Sequence, residues 1–453
     1  MAISRPDAFS GRSGLAAPAA VSAASVKAAH VVRVGFIPLL DAAVILAAVE
    51  LGFAAREGIA LLPIKDVSWS NIRDRLAFRQ FDVAHMLAPM PVASQLGIGS
   101  NPYPVITPMS LGLGGNAITL SVPLFQRMQD IGGDAAEPGG EWGPGTAIAH
   151  ARALRRVVDA RKAEGASPLV FAVVYPFSSH NYEFRYWMGA AGIDPDADVT
   201  MTVIPPPLMA DALAAGAIDG FCVNAPWNML AVEAGAGRIV AVKADIWPSS
   251  PEKVLGMRPD WADANRETVS RLIVALDRAA RWCDDPENHG QLAAIMALPH
   301  YIGTPVEIIE RILGGNLVLD PTGRRRHIPN YMTFHRNGAN CPWKSHALWI
   351  YGQMARWGQV AAGDAQQRIA ASAFRPDLYR EALDSIDTPI PLDDMKAEGA
   401  FLEPTAIAAT GGALVMPPET FIDGNVFDPR DVTAYLQRFP VPARTLPAAT
   451  KGE

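Results

Sequence analysis

Residues 31–87 read VVRVGFIPLLDAAVILAAVELGFAAREGIALLPIKDVSWSNIRDRLAFRQFDVAHML, and their order of patterns decides the fold. VVRVGFI (31–37) is a short β-rich run. After Pro38, the stretch DAAVILAAVELGFAAREG has helical apolar spacing and ends on a glycine that stops a helix. IALLPIKDV predicts a second strand and SNIRDRLAFRQ a second helix, with Ser68 or Ser70 placed to cap its start; FDVAHML predicts a third strand. Strands of this apolar kind, alternating with helices, form a parallel sheet covered on both faces. Ligands of such sheets collect at the carboxyl ends of the strands, here Pro38 to Asp41, Val67 to Trp69 and His85 to Pro91.

The same rhythm restarts at PLVFAVVYP (168–176). It continues through a helix NYEFRYWMGAAG, a strand DVTMTVIP, a helix PPLMADALAAG and a strand AIDGFCV. A second lobe of the same α/β type follows. GRIVAVKAD and KVLGMR add two short strands. ETVSRLIVALDRAARWCDD, PVEIIERILGG, SHALWIYGQMARWG and PDLYREALDSI then give a helix-rich remainder, and the Pro-, Gly- and Thr-rich last forty residues are expected to wrap over the surface.

The 453 residues are enough for two or three compact units with real cores, at roughly 100–200 residues each. Hydrophobic residues at 49% and charged ones at 19% are globular proportions. A net charge of −7 supplies no global positive field for nucleic acid or an anionic membrane, so any anion site must be local. The one dense basic run, Arg324-Arg325-Arg326-His327, lies between turn signals and reads as a solvated loop. Cys222, Cys283 and Cys341 are isolated, without disulfide or zinc spacing, and fit a reducing compartment. There is no stretch of 18 or more apolar residues to span a membrane. Residues 1–30 are Ala/Ser-rich, with Pro18 in the middle and no adjacent arginine pair or lipid-attachment cysteine; they are expected to be a flexible tail rather than an export signal.

HExxH, GxSxG and the Walker loop are absent, and neither cofactor nor metal is expected. Gly112-Leu113-Gly114-Gly115-Asn116-Ala117 resembles a dinucleotide fingerprint, yet AITLSV after it reads as a strand instead of the required helix. Its glycines suit a crossing between lobes with close backbone approach. His180 precedes a helix start, where backbone N–H groups and the dipole favour an anion; the competing reading is a packing or capping histidine. Lys253, at the edge of an apolar strand, is either a point charge for an oxyanion in a cleft or a surface lysine. Trp69, Trp227 and Trp247 either wall a pocket or fill the core.

Several segments together resemble the nitrate- and bicarbonate-binding proteins of ABC transporters, and most of all the cytosolic nitrate/nitrite sensors of the NasS type. They are VGFIPLLDAA (34–43), VSWSNIRDRL (67–76), FDVAHMLAPMP (81–91), GGNAITL (114–120), HNYEFRYWMGAAGIDPDADV (180–199), IPPPLMADALAAGAIDGFCVNAPWN (204–228), SPEKVLGMR (250–258) and WKSHALWIYGQMARWG (343–358). The likeness spans roughly residues 33 to 385. It implies a two-lobed, periplasmic-binding-protein-like fold of type II with a helical C-terminal extension. The expected divisions are a tail (1–30), lobe 1 (31–116 plus 226–340), lobe 2 (117–225), and C-terminal helices with a wrapping tail packed on the lobes (341–453).

The resemblance also implies that a small oxyanion, nitrate or nitrite, is held between the lobes by His180 and Lys253. Met86, Pro206 and Asn224 are the implied further contacts, and Trp69 and Gly114 complete the expected lining. The pattern departs at Met86, where the transporters carry tryptophan, and at Asn224-Ala225, where they carry glycine and glutamate. An anion bridging two lobes favours the closed form, so occupancy becomes a change of shape. From the lack of an export signal, the expected role is a non-enzymatic cytoplasmic sensor that signals to an ANTAR-type antiterminator. The alternatives are a periplasmic ABC-transporter component docking on a permease, with nitrate, nitrite or bicarbonate as cargo, and an enzyme like the thiamin-pyrimidine synthases, whose cysteine-rich motif this chain lacks.

Overall fold

The computed structural model describes residues 30–99, 103–132 and 142–444; apart from His30, the expected tail lies outside them. Two sheets organise the chain. The first has the order Lys253–Met257, Val83–Leu87, His30–Phe36, Ile59–Lys65, with only Lys253–Met257 antiparallel to its neighbour. Val83–Leu87 is buried at every residue, as its continuous apolar character requires of a strand covered on both faces. The helix Trp69–Ala77 starts at Ser68, whose side chain accepts from Asn71 N at 3.2 Å, and it buries Trp69, Ile72 and Leu76 on one face.

The second sheet has the order Thr200–Val203, Val170–Val173, Gly220–Asn224, Asn116–Ser121, Gly237–Val242. Asn116–Ser121 runs antiparallel to both its neighbours, while Val170–Val173 is parallel to both of its own. The chain therefore passes from the first sheet to the second between Leu87 and Asn116, and returns between Val242 and Lys253. This corrects the expected boundary at 225/226, which assigned Gly237–Val242 to lobe 1. That strand's local pattern has no feature that says which sheet it joins; its pairing with Asn116–Ser121 decides it.

At the first crossing the glycine-rich run makes close backbone contact, as expected. Gly114 has φ +86°, and a Cβ there would lie 2.2 Å from the Tyr331 carbonyl oxygen. The helix Lys344–Arg356 packs on Pro89–Gln95 of the first lobe. Its Trp349 joins Trp247, Phe421 and Tyr186 in an aromatic cluster with Trp247 and Trp349 centroids 4.8 Å apart. The C-terminal residues thus hold both lobes. The basic run is solvated, as expected, but it is a strand rather than a loop: Arg324, Arg325 and His327 are exposed, Arg325–His327 pairs antiparallel with Asn316–Val318, and the half-buried Arg326 makes two bonds of 2.7 Å to the Asp245 carboxylate. Among the described residues no helix is long and apolar enough to cross a membrane.

Candidate functional site

Antiparallel entry of Lys253–Met257 beside Val83–Leu87 sets Lys253 opposite Leu87, level with the carboxyl ends of the parallel strands. Asp41 follows the strand His30–Phe36 at the same level, and His85 lies in the central strand. From the second lobe, Asn116 pairs with Asn224, and Lys243 directly follows Gly237–Val242. His180 occupies the first turn of the helix Ser179–Ala190, which starts where Ser178 accepts from Asn181 N at 3.0 Å. The ends of the two sheets face each other here, and both crossings contribute residues.

The side chains form one buried polar network. Lys253 Nζ bonds Asp41 Oδ2 at 2.6 Å and also bonds Glu252 Oε1. The same Glu252 oxygen lies 3.4 Å from His180 Nε2. Lys243 Nζ stands 2.7 Å from Glu183 Oε1 and 2.5 Å from Glu252 Oε2, and donates to the Pro251 carbonyl at 3.0 Å. Asn116 Nδ2 donates to Glu252 Oε2 at 2.6 Å and to Glu183 Oε2 at 2.9 Å, while Asn224 Nδ2 donates to Asn116 Oδ1 at 2.9 Å. His85 Nε2 is 3.0 Å from Asp41 Oδ1. Trp69 covers one side, with its ring centroid 5.4 Å from Lys253 Nζ.

Burial and pairing set the charges. Burial disfavours ionised carboxylates, but Lys253 and His85 hold Asp41 below its ordinary value, and Lys243, Lys253 and His180 hold Glu252 far below. Burial raises Glu183, against the pull of Lys243. Lys243 is raised, because Glu183 and Glu252 outweigh the desolvation that would lower it. Desolvation lowers His85, and it brings His180 down to about 3, so both imidazoles are neutral at pH 7. Neither ring nitrogen of His180 has a hydrogen-bonding partner among the described residues. A neutral imidazole with free nitrogens, beside an ammonium and buried at the lobe junction, can donate to an oxygen arriving there.

The structure brings His180, Lys253, Trp69, Asn224 and Gly114 to this network; Gly114 enters through its carbonyl, which accepts from Asn224 Nδ2 at 3.2 Å. Lys253 is no surface lysine, being fully buried. Two expected contacts sit elsewhere. Met86 alternates with His85 along its strand, packs against Gly256 and lines an apolar cavity with Met90, Tyr175 and Phe177. Pro206 is buried at the start of the turn Pro206–Leu208, and among the described residues no hydrogen bond joins it to the network. Trp247 belongs to the aromatic core, with its indole N–H bound to Glu419 at 3.0 Å, and Trp227 donates to the Pro38 carbonyl at 3.2 Å.

Asp41, His85, Asn116, Glu183, Lys243 and Glu252 were not singled out from the sequence. Asp41 and His85 lie in the strand ends marked there, and Glu252 adjoins Lys253 in PEK. Nothing local distinguishes Lys243 or Glu183 from a surface charge.

The sequence model of the NMT1-like family matches residues 27–297. The chain is 33% identical over 439 residues to the nitrate/nitrite binding protein NrtA of Synechococcus elongatus, covering 94% of this chain and 90% of that protein. It is 33% identical over 412 residues to the nitrate import ATP-binding protein NrtC of Synechocystis, covering 90% of this chain but only 55% of that longer protein. The crystal structure of the periplasmic nitrate-binding protein NrtA from Synechocystis superposes with a TM-score of 0.76 at 28% identity, covering 90% of this chain and 98% of that one. These relatives are named for binding and import rather than for sensing. The two sheets, the double crossing and this likeness along nearly the whole length agree: the chain belongs to the NMT1-like family and has its two-lobed, periplasmic-binding-protein fold.

Proposed function

We propose that this protein is the substrate-binding component of an ABC-type import system and takes a small monovalent oxyanion, nitrate or nitrite, between its lobes. One observation supports this most. His180 from the second lobe and Lys253 from the first, both buried, meet at a single oxygen, Glu252 Oε1. Two donors converging on one oxygen position suit an oxyanion, and their origin in different lobes makes binding favour the closed form. The relatives' names favour transport over the cytoplasmic sensor and antiterminator partner expected from the sequence, and a permease is the partner this reading requires.

Calorimetric titration with nitrate, nitrite and hydrogencarbonate is expected to show saturable binding of nitrate or nitrite. His180→Ala should weaken that binding tenfold or more, since a hydrogen bond to a charged group contributes about 1.5–3 kcal/mol. Unchanged affinity in this variant would remove His180 from the site. Fractionation of tagged protein in its native host is expected to place it in the periplasm; a wholly cytoplasmic protein would return the sensor reading to first place.

A further inference from the structure

The two ammonium groups at the lobe junction are already neutralised. Lys253 is bound by Asp41 and Glu252, and Lys243 by Glu183 and Glu252. Glu252 touches both lysines and also sits at His180, so its carboxylate fills the role that an incoming anion would take. Three carboxylates face two ammonium groups, and the cluster has no positive charge to spare for a guest. A second negative charge placed beside Glu252 in a buried site is strongly unfavourable unless something compensates it.

We infer that the crevice takes up one proton with each anion it binds, the proton being shared between His180 Nε2 and Glu252 Oε1, so that the guest enters in charge as a neutral acid. This rests on the anion site proposed above and makes Glu252 the residue that sets the charge requirement. The proton comes from solvent, and no bond of the anion is made or broken. The groups facing the pair are Asp41, His85 and Lys253 on the first lobe's side and Glu183, Lys243 and Cys222 on the second's, with Tyr331 beside them. Burial holds the Cys222 thiol and the Tyr331 phenol in their neutral forms, so neither supplies a compensating charge. The unliganded imidazole is neutral at pH 7, which leaves it free to receive the proton when the anion's field arrives.

The test is calorimetric titration of the full chain with sodium nitrate at one pH, in buffers of different protonation enthalpy, repeated from pH 6 to 7.5. The expected result is uptake of about one proton per nitrate and an affinity that falls about tenfold per pH unit, as one-proton linkage requires. Glu252→Gln removes the competing charge while leaving Lys253 on Asp41 and Lys243 on Glu183. It should bind nitrate with no proton uptake, and more tightly than the native protein at pH 7.5. Nitrate binding by the native protein without proton uptake or pH dependence overturns the inference and leaves the anion site standing. Undiminished uptake in Glu252→Gln overturns the part given to Glu252. If nitrate, nitrite and hydrogencarbonate all fail to bind, the anion site itself is refuted.

Discussion

Lys253→Ala is expected to abolish anion binding and also to lower the free energy of unfolding by about 3–5 kcal/mol, the cost of removing one member of a buried ion pair. The structure adds the stability term, because Lys253 Nζ bonds both Asp41 and Glu252 and all three side chains are buried. Without the ammonium, Glu252 still has Lys243, but among the described residues Asp41 keeps only the neutral imidazole of His85 as an ion-pair partner. Asp41 should then protonate or draw in water. Adding Asp41→Asn to Lys253→Ala is therefore expected to restore part of the stability and none of the binding. Urea unfolding measures the first effect and calorimetry the second. Native stability in the single variant would show that Asp41 is not held by Lys253.

Gly114→Ala is expected to cost about 2–5 kcal/mol, combining a left-handed backbone penalty of about 1–2 kcal/mol with about 1–3 kcal/mol for forced displacement. A Cβ at this position would lie 2.2 Å from the Tyr331 carbonyl oxygen. That oxygen cannot easily move away, because it accepts from Gly115 N at 2.7 Å while the Tyr331 hydroxyl donates to the Gly115 carbonyl at 2.8 Å. Gly411→Ala is the comparison: its φ of +72° carries the backbone penalty, and nothing stands within 4 Å of its Cβ. Urea unfolding of the two variants separates strain from steric conflict. Equal losses would mean that the first crossing yields to accommodate the methyl group.

What could be read in the chain beforehand has a common physical basis. The strand His30–Phe36, the Ser68-capped helix Trp69–Ala77 and the amphipathic helix Arg266–Cys283 follow from periodicity and capping within a few residues. The run Arg324–His327 is exposed as its composition suggests, but it is a strand and not a loop, because Asn316–Val318 pairs with it and Asp245, some eighty residues earlier, claims Arg326. Met86 and Pro206 were inferred through resemblance alone, and at Met86 the side chain departs from the transporters' tryptophan. A strand's alternation turns Met86 to the face opposite His85, and that places it on the apolar cavity.

By itself, the sequence determined the α/β alternation, and its resemblance pointed to a two-lobed fold with His180 and Lys253 near the carboxyl ends of the strands, where the structure places both side chains. Only the tertiary structure decided which sheet receives Gly237–Val242 and which carboxylates neutralise the two lysines. Asp41 and Lys253 are 212 residues apart, and strand pairing and the double crossing bring them to 2.6 Å. Local propensity acts over a turn or a strand, whereas the charge balance of a buried site is a sum over groups that meet only when both sheets are assembled.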